Sequence, residues 1–122
     1  MKVDLSQDGW NMFFKKPWKQ VAFRKVMDGR DWRSAEIYEY VNSVLDDSSI
    51  SRASVIFFLD DLVEEDLLSY REETGKGGHH KVYTGTITLP EFLECVRCKA
   101  NEKIDALLTE WNLLRTRETI VV

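Results

Sequence analysis

Residues 51–66 read SRASVIFFLDDLVEED, and this stretch decides the predicted fold. Its apolar residues recur at intervals of three and four, which is the spacing of one face of an α-helix. They are Val55, Phe58, Leu59 and Leu62. Ser51 stands just before them, and serine is a residue type that caps helix N-termini. The pattern therefore predicts a helix that follows Ser51 and buries one side.

A second amphipathic helix is predicted immediately upstream, with Ser34 as its candidate N-cap. Its apolar face holds Ile37, Tyr38, Val41, Val44 and Leu45. Residues 46–49 (DDSS) are predicted to form a turn between the two helices. Two amphipathic helices separated by a short polar turn are what a helix-turn-helix requires.

After residue 66 the pattern becomes that of a β-hairpin. Residues 67–73 and 80–87 are predicted as two strands, the second rich in β-branched and aromatic side chains. Residues 74–79 (TGKGGH) lie between them and include three glycines, which accept the positive φ that a hairpin tip requires. The hairpin is therefore expected to have a flexible, basic tip.

The N-terminal third contains an aromatic arm and one more helix. Residues 1–16 lack a clear period but contain Trp10, Met12, Phe13 and Phe14, so we expect this arm to cover part of the domain or of a second copy. Pro17 suits a first helical turn, and the apolar spacing that follows predicts a helix over residues 17–27. Trp32, just before the second helix, is expected to fix a strand or a turn.

The C-terminal quarter is predicted to be one long helix. Thr88 and Glu91 form a candidate capping box, and Pro90 fits the first turn. An apolar stripe follows at helical spacing: Leu89, Leu93, Val96, Ala100, Ile104, Leu107, Trp111 and Leu114. A helix over residues 89–115 would span about 40 Å, which is longer than a domain this small can cover. We therefore expect a homodimer formed through residues 89–115.

The order of these elements is similar to that of winged helix-turn-helix transcriptional regulators. Residues 31–83 carry the resemblance, and the penicillinase-repressor-like and MarR-like regulators are the nearest families. The expected fold is mainly α-helical with a small β-hairpin wing and a long C-terminal dimerisation helix. Within one overall domain, it comprises the arm (residues 1–16), a winged helix-turn-helix (17–88) and the dimerisation helix (89–117). Asp66 stands where the family has a glycine after the recognition helix.

The resemblance implies binding to double-stranded DNA. On the helix that begins after Ser51, the residues implied to read the major groove or reach a phosphate are Ser51, Arg52, Ser54, Ile56 and Phe57. The wing residues implied to meet the backbone or the minor groove are Lys76, His79, His80 and Lys81. Arginine pairs with guanine edges, and apolar side chains contact thymine methyl groups.

Charge distribution keeps an alternative open. Residues 1–33 hold eight Lys or Arg and four acids, a net charge of +4, whereas residues 34–66 hold one basic residue and nine acids, a net charge of −8. Ile56 and Phe57 could be buried by the first 30 residues or by a partner. The acids at positions 60, 61 and 64–66 are expected to form a solvated face. A winged-helix module that binds protein is therefore the alternative to a DNA-binding regulator.

Two further patterns contain residue types that can carry chemistry. Cys95 and Cys98 lie one helical turn apart and could form a thiol or metal sensor, but we favour small apolar residues that flank the stripe. His79 and His80 are interpreted as exposed polar residues or phosphate contacts. The chain has no Ser-His-Asp order, GxSxG motif or P-loop, so we expect neither enzymatic activity nor a cofactor or metal.

Length and composition indicate where in the cell the protein is expected. The chain has 122 residues and a net charge of −4. Its longest uncharged apolar run covers only residues 55–59, which excludes a membrane span of about 20 apolar residues. The first residues do not resemble a signal peptide. We expect a cytoplasmic protein with no membrane partner, and the sequence does not indicate an effector.

Overall fold

The computed structural model describes residues 1–45, 50–75 and 77–121. The chain divides into two compact units, Met1–Leu89 and Pro90–Val122. In the described residues it is mainly helical, with a small three-stranded antiparallel sheet and a long C-terminal helix. The elements are a 3₁₀ turn (Gly9–Met12), α1 (Pro17–Val26), β1 (Asp31–Arg33), α2 (Ser34–Val44), α3 (Arg52–Glu64), β2 (Leu68–Gly75), β3 (Gly78–Gly85) and α4 (Leu89–Val121). The predicted turn at residues 46–49 and the wing residue Lys76 lie outside the described residues.

The aromatic arm packs on the first unit, which is one of the two arrangements expected of it. The ring of Phe14 lies 5.0 Å from that of Phe23 and 5.3 Å from that of Phe58, between ring centroids. Trp10 lies 6.1 Å from Phe23 in an edge-on arrangement. The arm therefore contacts both α1 and α3, and α1 itself begins at Pro17 as predicted.

The start of α2 differs from the prediction by one residue. Ser34 is the first residue of the helix, and Arg33 occupies the N-cap position. The N–H of Arg33 donates to Glu36 Oε1 at 2.9 Å. Arg33 also pairs with Val82 as the last residue of β1. Because Arg33 ends a strand in extended backbone, the helix can begin only at Ser34, and the predicted role of Ser34 as N-cap is wrong.

Helix α3 begins and ends as its sequence signals require. Ser51 Oγ accepts from the N–H of Ser54 at 3.1 Å, which confirms Ser51 as the N-cap. At the other end Asp66 has φ +61°. The N–H of Asp66 donates to the Val63 carbonyl, and the N–H of Leu67 donates to the Leu62 carbonyl, both at 3.0 Å. This pair of hydrogen bonds is a Schellman motif, whose left-handed residue is usually glycine.

The sheet has the order β1-β3-β2, with antiparallel pairing throughout. The hairpin is longer toward its tip than predicted, since its strand pairing extends to Gly75 and Gly78. Gly77 has φ +99° and Gly78 has φ +107°, conformations that only glycine adopts readily. Trp32 lies in β1 opposite Tyr83. Of the two alternatives expected for Trp32, a strand or a turn, the structure has the strand.

The core of the first unit lies between α1, α2, α3 and the sheet. The predicted buried face of α3 is confirmed, because Val55, Phe58, Leu59 and Leu62 are all buried. The other buried side chains of this unit are Val21, Ala22, Phe23, Val26, Met27, Ile37, Val41, Leu68, Val82 and Tyr83. No charged residue is buried among the described residues. This apolar contact between three helices fixes the position of α3.

The second unit consists almost entirely of α4. The helix begins at Leu89, as predicted, and runs to Val121, six residues beyond the predicted end. At 1.5 Å per residue its 33 residues extend about 50 Å. Side chains from 101 to 118 are all exposed on this chain.

Candidate nucleic-acid interface

The first turn of α3 presents short polar side chains and one arginine to solvent. Ser51 and Arg52 are exposed, and Ser54 is half-buried. The hydroxyl oxygens of Ser51 and Ser54 lie 2.8 Å apart. Because Ser51 also caps the helix, its side chain is held in place. Arg52 belongs to the same turn and extends from a fixed backbone.

The next turn of α3 is apolar on its outer side. Phe57 is 68% exposed, while Ile56 is half-buried. Of the two explanations offered for these side chains, burial of Phe57 by the first 30 residues is wrong. The arm instead contacts Phe58, which lies on the inner side of the helix. Phe57 is therefore available to a ligand or a partner.

The acids of α3 and its exit are mainly exposed, as expected from the sequence, but Asp60 is half-buried and binds to the sheet. Asp60 Oδ1 accepts from the hydroxyl of Tyr83 at 2.8 Å and lies 3.3 Å from Lys81 Nζ. Burial raises the pKa of Tyr83 well above its ordinary value, and the hydrogen bond to Asp60 adds to this. Asp61, Glu64 and Glu65 remain exposed. One of the five acids is thus used to join α3 to the sheet.

The wing residues differ in their exposure to solvent and in their contacts within the chain. His79 is exposed, and His80 is half-buried. The ammonium group of Lys81 contacts Asp60 and also lies 4.6 Å from the centroid of the Tyr70 ring. Lys81 is therefore committed to intramolecular contacts. Lys76 lies outside the described residues.

A polar network that the sequence did not indicate crosses the outer face of the sheet. Asp31 accepts from the hydroxyl of Thr84 at 2.6 Å and from Arg71 at 3.0 Å. These bonds, with that of Thr84 first, hold the pKa of Asp31 below its ordinary value. Arg71 also binds Glu73, and Arg33 lies 3.5 Å from Glu73. Since Asp31 and Arg71 are 40 positions apart, no local motif could have identified them.

The basic N-terminal segment lies partly beside α3. Lys19 Nζ is 5.5 Å from the ring centroid of Phe58 on α3 and 5.7 Å from that of Trp18. Lys25 Nζ lies 4.5 Å from the Tyr40 ring. These cation–π contacts orient the lysines on α1. They bring at least one cation of the +4 segment next to the candidate recognition helix.

The cysteines of α4 form no disulfide and are exposed. Cys98 Sγ lies 3.7 Å from Glu94 Oε1, and Glu94 also forms an ion pair with Arg97. Among the described residues no group of three or more His, Cys, Asp or Glu side chains is arranged to hold a metal ion. The two thiols thus lack the four ligands of a structural zinc site in this part of the chain.

No protein-family model matches the chain, and no curated protein is significantly similar to it in sequence. Of the helices that the structure describes, none combines the length and the apolar character needed to cross a membrane. The functional assignment therefore depends on the geometry and charge of the first unit.

Proposed function

We propose that this protein is a sequence-specific DNA-binding transcriptional regulator of the winged helix-turn-helix type that acts as a homodimer. The observation that carries the proposal is the placement of α3. One side of the helix is fixed in the core by Val55, Phe58, Leu59 and Leu62. Ser51 and Arg52 at its N-terminal end, and Phe57 on its outer side, are exposed to solvent. A recognition helix needs a rigid base and a free face.

The surrounding elements support this function. A strand, a helix pair and a hairpin follow one another in the chain, and β1 joins the hairpin in one sheet. The hairpin thereby becomes a wing with His79 near its tip. Both helix and wing would meet the duplex, the helix in the major groove and the wing on the backbone.

The acidic residues of α3 are the main argument against DNA binding, because they repel phosphates. The contacts of Asp60 reduce this repulsion. Its carboxylate is paired with Lys81 and hydrogen-bonded to Tyr83, so that one acid of α3 is compensated within the chain. Lys19 also lies beside α3, with its ammonium group 5.5 Å from the ring centroid of Phe58. The phosphate attraction that drives non-specific binding would come from such N-terminal cations.

The experiment that tests base reading is site selection from a random duplex pool, followed by competition with single-base variants of the selected site. Arg52→Ala should lose about 1–3 kcal/mol on the selected site and relax preference at one base position. Arg30→Ala removes the same charge from an exposed residue outside α3 and should leave base preference intact. Unchanged base preference in Arg52→Ala would contradict the assignment.

A second candidate is a module that binds protein through α3, and the exposure of Phe57 beside Asp61 and Glu64 favours it. An apolar anchor with acidic neighbours suits a basic, amphipathic partner segment. Charge reversal separates the two functions. Asp61→Lys should strengthen binding to duplex DNA at low salt if α3 docks on DNA. If α3 binds protein, neither the wild type nor this variant should bind DNA.

A further inference from the structure

Helix α4 carries an apolar seam that its own chain leaves in solvent. Its central residues alternate in spacings of three and four, as the a and d positions of a heptad repeat do. They are Ile104, Leu107, Trp111 and Leu114, which are 54, 60, 52 and 44% exposed. The same register assigns Leu93 and Ala100 to d positions and Arg97 and Glu118 to a positions. The residues that would face each other across this seam indicate which helix covers it and in which direction that helix runs.

A parallel, in-register pair of α4 helices would place every a residue against its own copy. Arg97 would face Arg97 of the second copy, and Glu118 would face Glu118, so that two layers would contain like charges. Trp111 would face Trp111, which puts two indole rings in one layer. Two of the four a layers would therefore be unfavourable, and a third would have to hold two indole rings.

An antiparallel pair in which Ile104 lies opposite Leu107 of the second copy removes these conflicts. In this register Trp111 lies opposite Ala100 of the second copy, so the largest side chain of the seam meets the smallest. Arg97 lies opposite an aliphatic residue, Leu114 of the second copy. The stems of long charged side chains pack well against such residues while their charged ends remain in water.

The flanking charges select the same register. Residues at g positions face each other across an antiparallel pair, and here Lys103 lies opposite Glu110 of the second copy. A shift by one heptad toward the C-termini would shorten the overlap and place Glu110 opposite Glu110 and Lys103 opposite Arg117. All three side chains are exposed on this chain. Exposed ion pairs stabilise weakly, so they choose the register rather than supply the affinity.

We propose that α4 pairs with α4 of a second copy as an antiparallel coiled coil, with Ile104 opposite Leu107 and Trp111 opposite Ala100. The inference rests on the proposed homodimer and adds its orientation and register. Because the helices run in opposite directions, the two first units are attached at opposite ends of the coil. Their attachment points, at Leu89, are about 50 Å apart along its axis.

Disulfide trapping tests the orientation. Cys95→Ser and Cys98→Ser first remove the exposed native thiols. On that background, a mixture of the Leu114→Cys and Arg97→Cys chains should form a disulfide-linked heterodimer under mild oxidation. Leu114→Cys alone should not crosslink, because the two copies of residue 114 lie about 25 Å apart and a disulfide needs Cα atoms about 6 Å apart.

Crosslinking of Leu114→Cys alone would overturn the antiparallel arrangement and leave the homodimer standing. A monomeric wild type in sedimentation equilibrium would overturn both the pairing and the homodimer. Neither outcome depends on DNA, so failure of the coiled coil and failure of DNA binding remain distinguishable.

Charge exchange tests the register. Lys103→Glu and Glu110→Lys each create like-charge pairs and should weaken the dimer by about tenfold, and the double variant should restore most of the loss. In a parallel pair g residues face e residues, so the double variant would not restore dimerisation. Asp105→Lys lies on the outer side of the coil and serves as the control that leaves the dimer unchanged. Absence of rescue would overturn the proposed register.

Discussion

Asp66 ends α3 in a backbone conformation that few side chains adopt. Its φ of +61° lies in the left-handed region, where a Cβ atom crowds the following carbonyl group. The carbonyl of Asp66 also accepts from the hydroxyl of Thr86 at 2.7 Å, which anchors the chain as it enters the sheet. The backbone bonds of this turn do not need the aspartate side chain.

Asp66→Gly should therefore stabilise the first unit by about 1 kcal/mol, since glycine adopts positive φ without steric penalty. Urea unfolding at neutral pH measures the gain as a higher midpoint. Asp61→Gly is the matched control, because the same change inside α3 should cost about 1 kcal/mol. A lower midpoint for Asp66→Gly would show that the side chain itself holds the turn.

The contacts of Tyr83 also lead to a measurable prediction. Its ring is buried, and its hydroxyl donates to Asp60 across the interface of α3 and the sheet. Because burial raises its pKa above the ordinary value, the neutral hydroxyl is favoured in the folded state. The stability linked to this shift is complete below about pH 10 and is lost as the pH rises above it.

Tyr83→Phe should lower the free energy of unfolding at pH 7 by about 1 kcal/mol, because one hydrogen bond is lost. Its stability should then fall less steeply than that of the wild type between pH 9 and pH 11, a window set by the ordinary tyrosine pKa of about 10. Urea unfolding across this range gives both numbers. Equal slopes for the two proteins would contradict the role of Tyr83.

At the scale of elements, the aromatic arm bridges α1 and α3. Phe14 lies between Phe23 of α1 and Phe58 of α3, and its ring is edge-on to that of Phe58. Aromatic pairs of this kind stabilise beyond their buried area. The arm therefore supports α3 from its inner side.

Phe14→Ala should reduce the free energy of unfolding by about 2 kcal/mol, since it leaves a space between the two helices. Lys16→Ala, at an exposed neighbouring position, should change stability by less than about 0.5 kcal/mol. Thermal or urea unfolding of the two variants compares them directly. Equal effects would indicate that the arm does not stabilise the core.

Elements with a strong period of their own could be predicted from the sequence. The buried face of α3, the Ser51 cap and the start of α4 all follow from local spacing. Strand β1 could not be assigned in the same way, because three residues show no period and their conformation is set by pairing with β3. That pairing also explains why Arg33, and not Ser34, occupies the cap of α2.

Less of the candidate site than of the fold could be predicted from the sequence. Exposure of Arg52 agrees with the residue assignment, but the bonds of Asp60 to Tyr83 and Lys81 span more than twenty positions. No local pattern distinguishes Asp60 from its exposed neighbour Asp61. Contacts of this kind depend on the register of the sheet, which spacing alone does not define.

At the scale of the whole molecule, charge is divided between segments that meet in the first unit. The +4 N-terminal segment contributes Lys19 beside α3, while α3 and its exit carry most of the acids of the −8 segment. Binding to a polyanion requires the cations to dominate near the free face of α3. The proposed regulator should therefore bind DNA in a strongly salt-dependent manner.

Titration of the purified protein with random-sequence duplex DNA at about 50 and about 200 mM salt tests the proposed function most directly. Measurable binding at the lower salt concentration, weakened by orders of magnitude at the higher one, is the predicted result. Absence of binding at low salt would contradict the assignment of α3 as a DNA-recognition helix.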